Sequence, residues 1–140
     1  MLPPYILHVD DNEADLFLFR RAFQLAKTDV ELISLTTVYD AWIYLDTKGP
    51  GFAVELPRLM ILDLTLPHMN GMTFLELLRS DARYKGLHVV VMTGSDDIGD
   101  RNYCARFGVD KYIVKPSIFA DLVTVAAMLA NVTEGLPSVT

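Results

Sequence analysis

The sequence predicts a doubly wound α/β fold: a five-stranded parallel sheet between two layers of helices, forming a three-layer sandwich. Short apolar, β-branched runs alternate five times with segments in which apolar residues recur every three or four positions. Such alternation favours parallel strands joined by right-handed crossovers. Three of the runs, LMIL, HVVVM and YIV, are continuously apolar, as expected of strands buried on both faces.

Each element is identified in chain order. The predicted strands are YILHV at 5–9, VELISL at 30–35, LMILD at 59–63, LHVVVMT at 87–93 and KYIVK at 111–115. Helical spacing is clear after the first strand, at Leu16, Phe19, Phe23 and Ala26, and after the last, at Ile118, Leu122, Val125 and Leu129. The longest irregular connection is TKGPGFAVELP at 47–57, with two glycines and two prolines. This order predicts a flavodoxin-like (βα)5 topology.

Length and composition limit the organisation and the function. With 140 residues, 51% of them hydrophobic, we expect one domain over 1–140, with a core at 5–131 and a short tail at 132–140. The net charge of -6 and the lack of a Lys/Arg cluster argue against a nucleic-acid partner. No signal peptide is visible, and no apolar run approaches the roughly 18 residues of a membrane span. We therefore expect a cytoplasmic protein with no membrane partner.

Polar residues stand at the ends of four predicted strands. Asp10 and Asp11 follow the first strand, Asp63 ends the third, Thr93 ends the fourth and Lys115 ends the fifth. Because the carboxyl ends of parallel strands meet at one edge of a doubly wound sheet, where ligands bind, we expect these residues to form one site.

The residue types at this edge indicate phosphoryl transfer. Three neighbouring carboxylates repel one another unless cations offset them, and oxygen ligands without histidine or cysteine select Mg²⁺ or Mn²⁺. Asp63, alone at the end of the central strand, is the predicted nucleophile that accepts a phosphoryl group. Thr93 would hydrogen-bond one phosphoryl oxygen, and Lys115 would pair with another.

Four motifs resemble those of the receiver domains of two-component response regulators. They are VDDN at 9–12, ILDLTLPHMNG at 61–71, VMTG at 91–94 and GVDKYIVKP at 108–116, and the resemblance covers residues 5 to about 131. It implies that Asp10, Asp11 and Asp63 hold Mg²⁺ together with the backbone carbonyl of Thr65. It also implies that Asp63 is phosphorylated by a histidine kinase or a histidine phosphotransfer protein. Such a domain is a switch, not an enzyme, and catalyses only its own phosphorylation and dephosphorylation.

The resemblance further assigns residues that transmit and time the signal. Tyr112 matches the aromatic residue that turns inward when the hydroxyl of Thr93 moves towards the phosphate. Thr65 and Ser95 occupy positions that tune the attack of water on the acyl phosphate. The family uses the face of the fourth helix, fifth strand and fifth helix for dimerisation or output, which predicts a homodimer through this face. The aromatic residues expected there are Tyr103, Phe107, Tyr112 and Phe119.

Three finer expectations come from the same resemblance. The Lys115–Pro116 bond is expected to be cis, although the sequence allows either isomer. Ala14, Asp15 and Leu18 match positions that face the phosphodonor domain. The stand-alone length and the extended loop before the third strand are most similar to the small response regulators paired with bacterial phytochromes.

Two other functions share parts of this pattern. A magnesium-dependent aspartyl-phosphate phosphatase has the same nucleophile but usually a second aspartate two residues later, where this chain has Thr65. An inert receiver-like adaptor commonly lacks the acidic pair or the lysine, and both are present here. A flavin-binding domain of this topology would need a glycine- and hydroxyl-rich phosphate cradle after the first strand, where this chain has carboxylates.

Overall fold

The structure is a computed structural model that describes residues 3–47, 55–65 and 70–138. Within these ranges five strands and five helices alternate in the predicted order. The strands are β1 (Tyr5–Val9), β2 (Glu31–Leu35), β3 (Leu59–Leu62), β4 (His88–Thr93) and β5 (Lys111–Val114). The helices are α1 (Glu13–Leu25), α2 (Val38–Asp46), α3 (Gly71–Ser80), α4 (Ile98–Arg106) and α5 (Phe119–Gly135). Most of the predicted loop 47–57 lies outside the described residues.

All strands of the sheet are parallel, in the order β2-β1-β3-β4-β5, so the predicted doubly wound fold is confirmed. Backbone hydrogen bonds continue one residue beyond the strand ends. Asp63 donates its N–H to the Val9 carbonyl at 3.1 Å, and Lys115 donates to the Thr93 carbonyl at 2.7 Å. The sheet therefore fixes the backbone of residues that follow the strands, at one edge and in register.

The two faces of the sheet carry separate apolar clusters. One face packs against α2, α3 and α4 through buried side chains such as Leu45, Phe74 and Cys104. The opposite face packs against α1 and α5 through side chains such as Phe19 and Leu129. This is the predicted three-layer arrangement, with a hydrophobic layer on each side of the sheet.

Polar side chains fix where four helices begin. Asn12, Thr37, Asn70 and Asp97 each accept a hydrogen bond from the backbone N–H three residues later, at the starts of α1 to α4. A cap of this kind satisfies an N–H group that has no partner within its helix. Because each capping residue lies soon after a strand, the first turns of these helices follow the carboxyl edge of the sheet.

The prediction that YIV is buried on both faces is wrong in part. β5 is an edge strand, and Tyr112, Ile113 and Val114 are only half-buried. β1 is buried throughout although His8 interrupts its apolar run. Apolar side chains on an edge strand are covered by helices above and below, so hydrophobicity alone does not reveal that one neighbouring strand is missing.

The expected tail beginning at residue 132 is also revised, since α5 continues to Gly135 and Thr133 is buried. Arg58 donates from Nη1 to the Leu136 carbonyl at 3.1 Å, which ties the end of this helix to the start of β3.

At 17 residues α5 is the longest described helix. Among the described residues, none of the helices has both the length and the apolar character needed to cross a bilayer.

Candidate functional site

The structure brings together the three aspartates expected at the carboxyl edge of the sheet. Asp10 and Asp63 are buried, and Asp11 is exposed. One carboxylate oxygen of each lies within 4.8 Å of the others. The strand ends bring these oxygens together because Asp10 and Asp63 directly follow the neighbouring strands β1 and β3.

The carboxylate of Asp10 shows that this cluster suits a cation. Its Oδ1 accepts a hydrogen bond from the Asn12 N–H at 2.9 Å, and its buried Oδ2 lies 2.8 Å from the ammonium of Lys115. Burial raises the pKa of Asp10, and the ammonium of Lys115 opposes that rise. A buried carboxylate grouped with two further carboxylates, with one ammonium to offset three negative charges, fits a hard divalent cation such as Mg²⁺ or Mn²⁺.

Lys115 is the cation that the structure places beside these carboxylates. Its Nζ lies 3.0 Å from Asp63 Oδ2, 2.8 Å from Asp10 Oδ2 and 2.7 Å from Asp15 Oδ2. Asp15 and Asp63 accept hydrogen bonds from the ammonium, and Asp10 forms a close ion pair with it. Burial alone would lower the pKa of Lys115, but the three carboxylates outweigh it and raise that pKa. The side chain is therefore charged at neutral pH.

Asp15 lies at this site in contact with Lys115, and the sequence did not predict that contact. The resemblance put it on a surface facing a phosphodonor, but it makes the shortest of the three contacts to Lys115. One signal was available: Asp15 is in the first turn of the helix that begins just beyond β1. Whether its side chain turns towards the fifth strand depends on how that helix packs, which its position in the sequence does not reveal.

Thr65 lies beside the predicted phosphoacceptor. Its backbone N–H and its hydroxyl both contact Asp63 Oδ1, at 3.2 and 3.3 Å. The hydroxyl is thus within reach of the carboxylate that is the predicted nucleophile. The role of the Thr65 backbone carbonyl as a metal ligand stays a prediction.

Thr93, Ser95 and Tyr112 form a connected group at the end of β4. The buried Thr93 hydroxyl accepts from the Ser95 N–H at 3.4 Å, and the Ser95 carbonyl accepts from the Tyr112 hydroxyl at 2.8 Å. Ser95 also donates its own hydroxyl to Asp100 in α4, at 2.7 Å. A displacement of the Thr93 side chain would therefore act on the backbone segment to which Tyr112 is bound.

Gly71 fixes the segment that follows Asp63. A Cβ at this position would lie 2.2 Å from the Asp63 carbonyl oxygen and 2.8 Å from Leu64 Cα, so no other residue fits without backbone movement. The Gly71 N–H also donates to the Leu64 carbonyl at 2.9 Å. The start of α3 thus supports the backbone of the predicted phosphoacceptor, and this explains the glycine at the end of the motif at 61–71.

One finer expectation is wrong. The Lys115–Pro116 bond is not cis, since the described residues contain no cis peptide bond; the isomers of an X–Pro bond differ by only about 0.5–1 kcal/mol, so sequence does not decide between them. Of the aromatic residues expected on the output face, Tyr103 packs on Phe107 and donates its hydroxyl to the Met72 carbonyl of α3, at 3.4 Å, while Phe107 and Tyr112 pack against the same apolar cluster. The patch itself stays a prediction.

Comparison with known proteins shows the family. The sequence pattern of the response regulator receiver domain matches residues 6–127. The chain is 33% identical over 120 residues to the probable methanogenesis regulatory protein FilR2 of Methanothrix harundinacea, covering 86% of this chain and 77% of that protein. It is 31% identical over 120 residues to response regulator Rcp1 of Synechocystis sp., covering 86% and 82%. The protein therefore belongs to the receiver domains of two-component response regulators.

Solved structures agree with this assignment. The Mn²⁺-bound form of response regulator Rcp1 is 28% identical, with a TM-score of 0.83 over 97% of this chain and 99% of that one. The phosphorylated cyanobacterial phytochrome response regulator RcpA is 27% identical, with a TM-score of 0.85 over 98% and 100%. Other relatives are longer: the chain spans 47% of response regulator Rre1 of Synechocystis sp.. Receiver domains accept phosphoryl groups from histidine kinases or phosphotransfer proteins and bind Mg²⁺ or Mn²⁺ at an acidic pocket.

Proposed function

We propose that this protein is a phosphorylation-activated signalling switch whose phosphoacceptor is Asp63. The observation that carries the proposal is the setting of the Asp63 carboxylate. It is buried, it lies 3.0 Å from the ammonium of Lys115, and it shares a cluster with Asp10 and Asp11. A carboxylate in this setting can accept a phosphoryl group as an acyl phosphate while neighbouring positive charge offsets the negative charge of the phosphoryl oxygens.

The reaction transfers a phosphoryl group from a phosphohistidine of a histidine kinase or phosphotransfer protein. A carboxylate oxygen of Asp63 forms the new P–O bond, the P–N bond of the donor breaks, and the leaving imidazole nitrogen keeps the electron pair. Lys115 pairs with one phosphoryl oxygen, and the hydroxyl of Thr93 donates to another. Asp10, Asp11, Asp63 and the Thr65 carbonyl would hold Mg²⁺ or Mn²⁺, which supplies positive charge next to the transferred group.

The signal then passes through the group at the end of β4. Movement of Thr93 towards the phosphoryl group changes the segment around Ser95, which releases the hydroxyl of Tyr112 and lets its ring turn inward. Thr65 and Ser95 set how readily water reaches the acyl phosphate, and thus its lifetime. Apart from its own phosphorylation and dephosphorylation, the domain turns over no substrate.

The switch acts in the cytoplasm with proteins as its partners. Similarity over the full length of a protein described as a phytochrome response regulator supports a phytochrome-associated kinase as its phosphodonor. The net charge of -6 supports the absence of a nucleic-acid partner.

Phosphorylation would change self-association through the face formed by α4, β5 and α5. Besides Phe119 and Tyr112, this proposal is supported by Ile98 and Ile118, large apolar side chains that are 69% and 60% exposed at the starts of α4 and α5. Light scattering with and without beryllofluoride tests it, and a change in mass is expected. Identical masses in the two states would count against a phosphorylation-dependent dimer.

The central experiment is incubation with acetyl phosphate and Mg²⁺, followed by intact mass spectrometry. We expect the wild type to gain one phosphoryl group, Asp63→Asn to gain none, and the control Asp40→Asn, at an exposed aspartate of α2, to behave as wild type. An unmodified wild type, or equal modification of Asp63→Asn, would refute the assignment. Release of phosphate from added phosphomonoesters would instead favour a phosphatase.

A further inference from the structure

We propose that Asp15 is a positioning residue of this site: it holds the ammonium of Lys115 on the α1 side and strengthens the binding of the divalent cation. The inference deepens the proposed function and rests on it for the identity of the site. Its evidence is a contact between two residues that are 100 positions apart in sequence, Asp15 Oδ2 and Lys115 Nζ, at 2.7 Å.

The backbone of Asp15 is held in place independently of this contact. Its N–H donates to the capping side chain of Asn12 at 3.0 Å, so the residue is anchored in the first turn of α1. Its side chain reaches from that turn to the ammonium, which itself follows β5. The pair therefore links α1 to the segment after β5 across the carboxyl edge of the sheet.

The contacts of Lys115 show what this link does. A lysine ammonium has three N–H donors, and its Nζ lies 2.7 Å from Asp15, 2.8 Å from Asp10 and 3.0 Å from Asp63. The charge of Asp63 changes when it is phosphorylated and Asp10 would bind the cation, whereas Asp15 keeps its carboxylate for the ammonium in both states. Asp15 is thus the acceptor that holds the ammonium beside Asp63 whether or not the phosphoryl group is present.

The charge of Asp15 also acts on the cation site. The ammonium of Lys115, if its charge were not partly neutralised, would repel a divalent cation held by Asp10, Asp11 and Asp63. Asp15 provides that neutralisation through its contact with the ammonium at 2.7 Å, while it is not itself one of the three clustered aspartates. A small cavity of about 40 Å³ borders the Asp15–Lys115 pair and has room for a water molecule.

The test compares Mg²⁺ binding, measured by isothermal titration calorimetry, for wild type, Asp15→Asn, Asp15→Glu and the control Glu13→Gln. Glu13 is an exposed carboxylate in the same helical turn, so it matches the loss of charge without the contact to Lys115. We expect Asp15→Asn to weaken Mg²⁺ binding about fivefold and Glu13→Gln less than about twofold, with Asp15→Glu close to wild type. Equal weakening by Asp15→Asn and Glu13→Gln, or no weakening by Asp15→Asn, would overturn the proposal.

A second measurement follows the ammonium directly. In ¹⁵N NMR spectra of the metal-free protein, we expect the side-chain N–H signal of Lys115 to be protected in wild type and Glu13→Gln and lost to solvent exchange in Asp15→Asn. Unchanged protection in Asp15→Asn would contradict the positioning role. Neither measurement requires phosphoryl transfer. A wild type that is never phosphorylated would therefore refute the proposed function, while the inference about Asp15 would still be decided by Mg²⁺ binding.

Discussion

The hydroxyl of Tyr112 donates a hydrogen bond of 2.8 Å to the backbone carbonyl of Ser95. The guanidinium of Arg101 lies over the same ring, 4.6 Å from its centroid, and pairs with Asp96 at 2.7 Å. Tyr112 is therefore held from two sides: its hydroxyl is bound to the segment after β4, and its ring is covered by a side chain of α4. Any inward rotation of the ring has to break both contacts.

Replacing Arg101 by methionine should release part of this restraint. An exposed cation–π contact contributes about 0.5–1 kcal/mol, so the population of the inward ring should rise about two- to fivefold. Relaxation-dispersion NMR of the Tyr112 ring measures that population. Arg106→Met, at an exposed arginine in the last turn of α4, is the control and should leave the ring unaffected. Equal exchange in wild type and Arg101→Met would show that the cation does not restrain the switch.

Gly71→Ala should destabilise the protein and disturb the phosphoacceptor. The added Cβ meets the Asp63 carbonyl oxygen and Leu64 Cα, both of which are backbone atoms that cannot rotate away. Overpacking of this kind costs about 1–3 kcal/mol. Urea denaturation measures the loss, and phosphorylation by acetyl phosphate should slow as well. Gly86→Ala is the matched control, because a Cβ there meets nothing within 4 Å; if both variants were equally stable, the close approach at Gly71 would be irrelevant.

Lys115→Met should lower the free energy of unfolding by about 3–5 kcal/mol in metal-free buffer at neutral pH, because it leaves the buried carboxylates of Asp10 and Asp63 without their ammonium. Added Mg²⁺ should restore part of that stability and bind more tightly than to wild type. Thermal denaturation with and without Mg²⁺ tests both points, with Lys111→Met, at an exposed lysine, as the control. Equal stability of the two variants would argue against an electrostatic role for Lys115.

His8 should make stability depend on pH. It is buried, its Nδ1 has no hydrogen-bond partner among the described residues, and burial, reinforced by the charge of Lys115, lowers its pKa from 6.5 to about 3. The unfolded chain therefore binds a proton below pH 6.5 that the folded protein does not. The contribution of His8 to the free energy of unfolding is therefore present above pH 6.5, the pKa of histidine in the unfolded chain, and is lost as the pH falls below it.

The expected loss from His8 is about 1.4 kcal/mol between pH 7.5 and pH 5.5. Urea denaturation in EDTA should show this loss of stability in wild type but not in His8→Leu. His88→Gln, at a half-buried histidine that contacts Asp110, is the control and should lose as much stability as the wild type. An identical pH dependence in wild type and His8→Leu would contradict a neutral, buried His8.

The local pattern of the sequence was sufficient to predict the sheet and most of the site. A strand that ends in aspartate places that aspartate at the carboxyl edge of the sheet whatever the helices do. This is why Asp10, Asp63 and Lys115 were predicted to meet and do meet. The parallel register determines this arrangement, because backbone hydrogen bonds extend to the residue after β1, β3 and β5.

Other features depend on packing between elements. The edge position of β5, the direction of Tyr103 towards α3 and the bond before Pro116 each reflect neighbours or small energy differences that a local pattern does not contain. The contact of Asp15 with Lys115 is the clearest case. Sequence placed one residue in a helix and the other after a strand, but only the docking of α1 against the sheet brings the two charges within 2.7 Å.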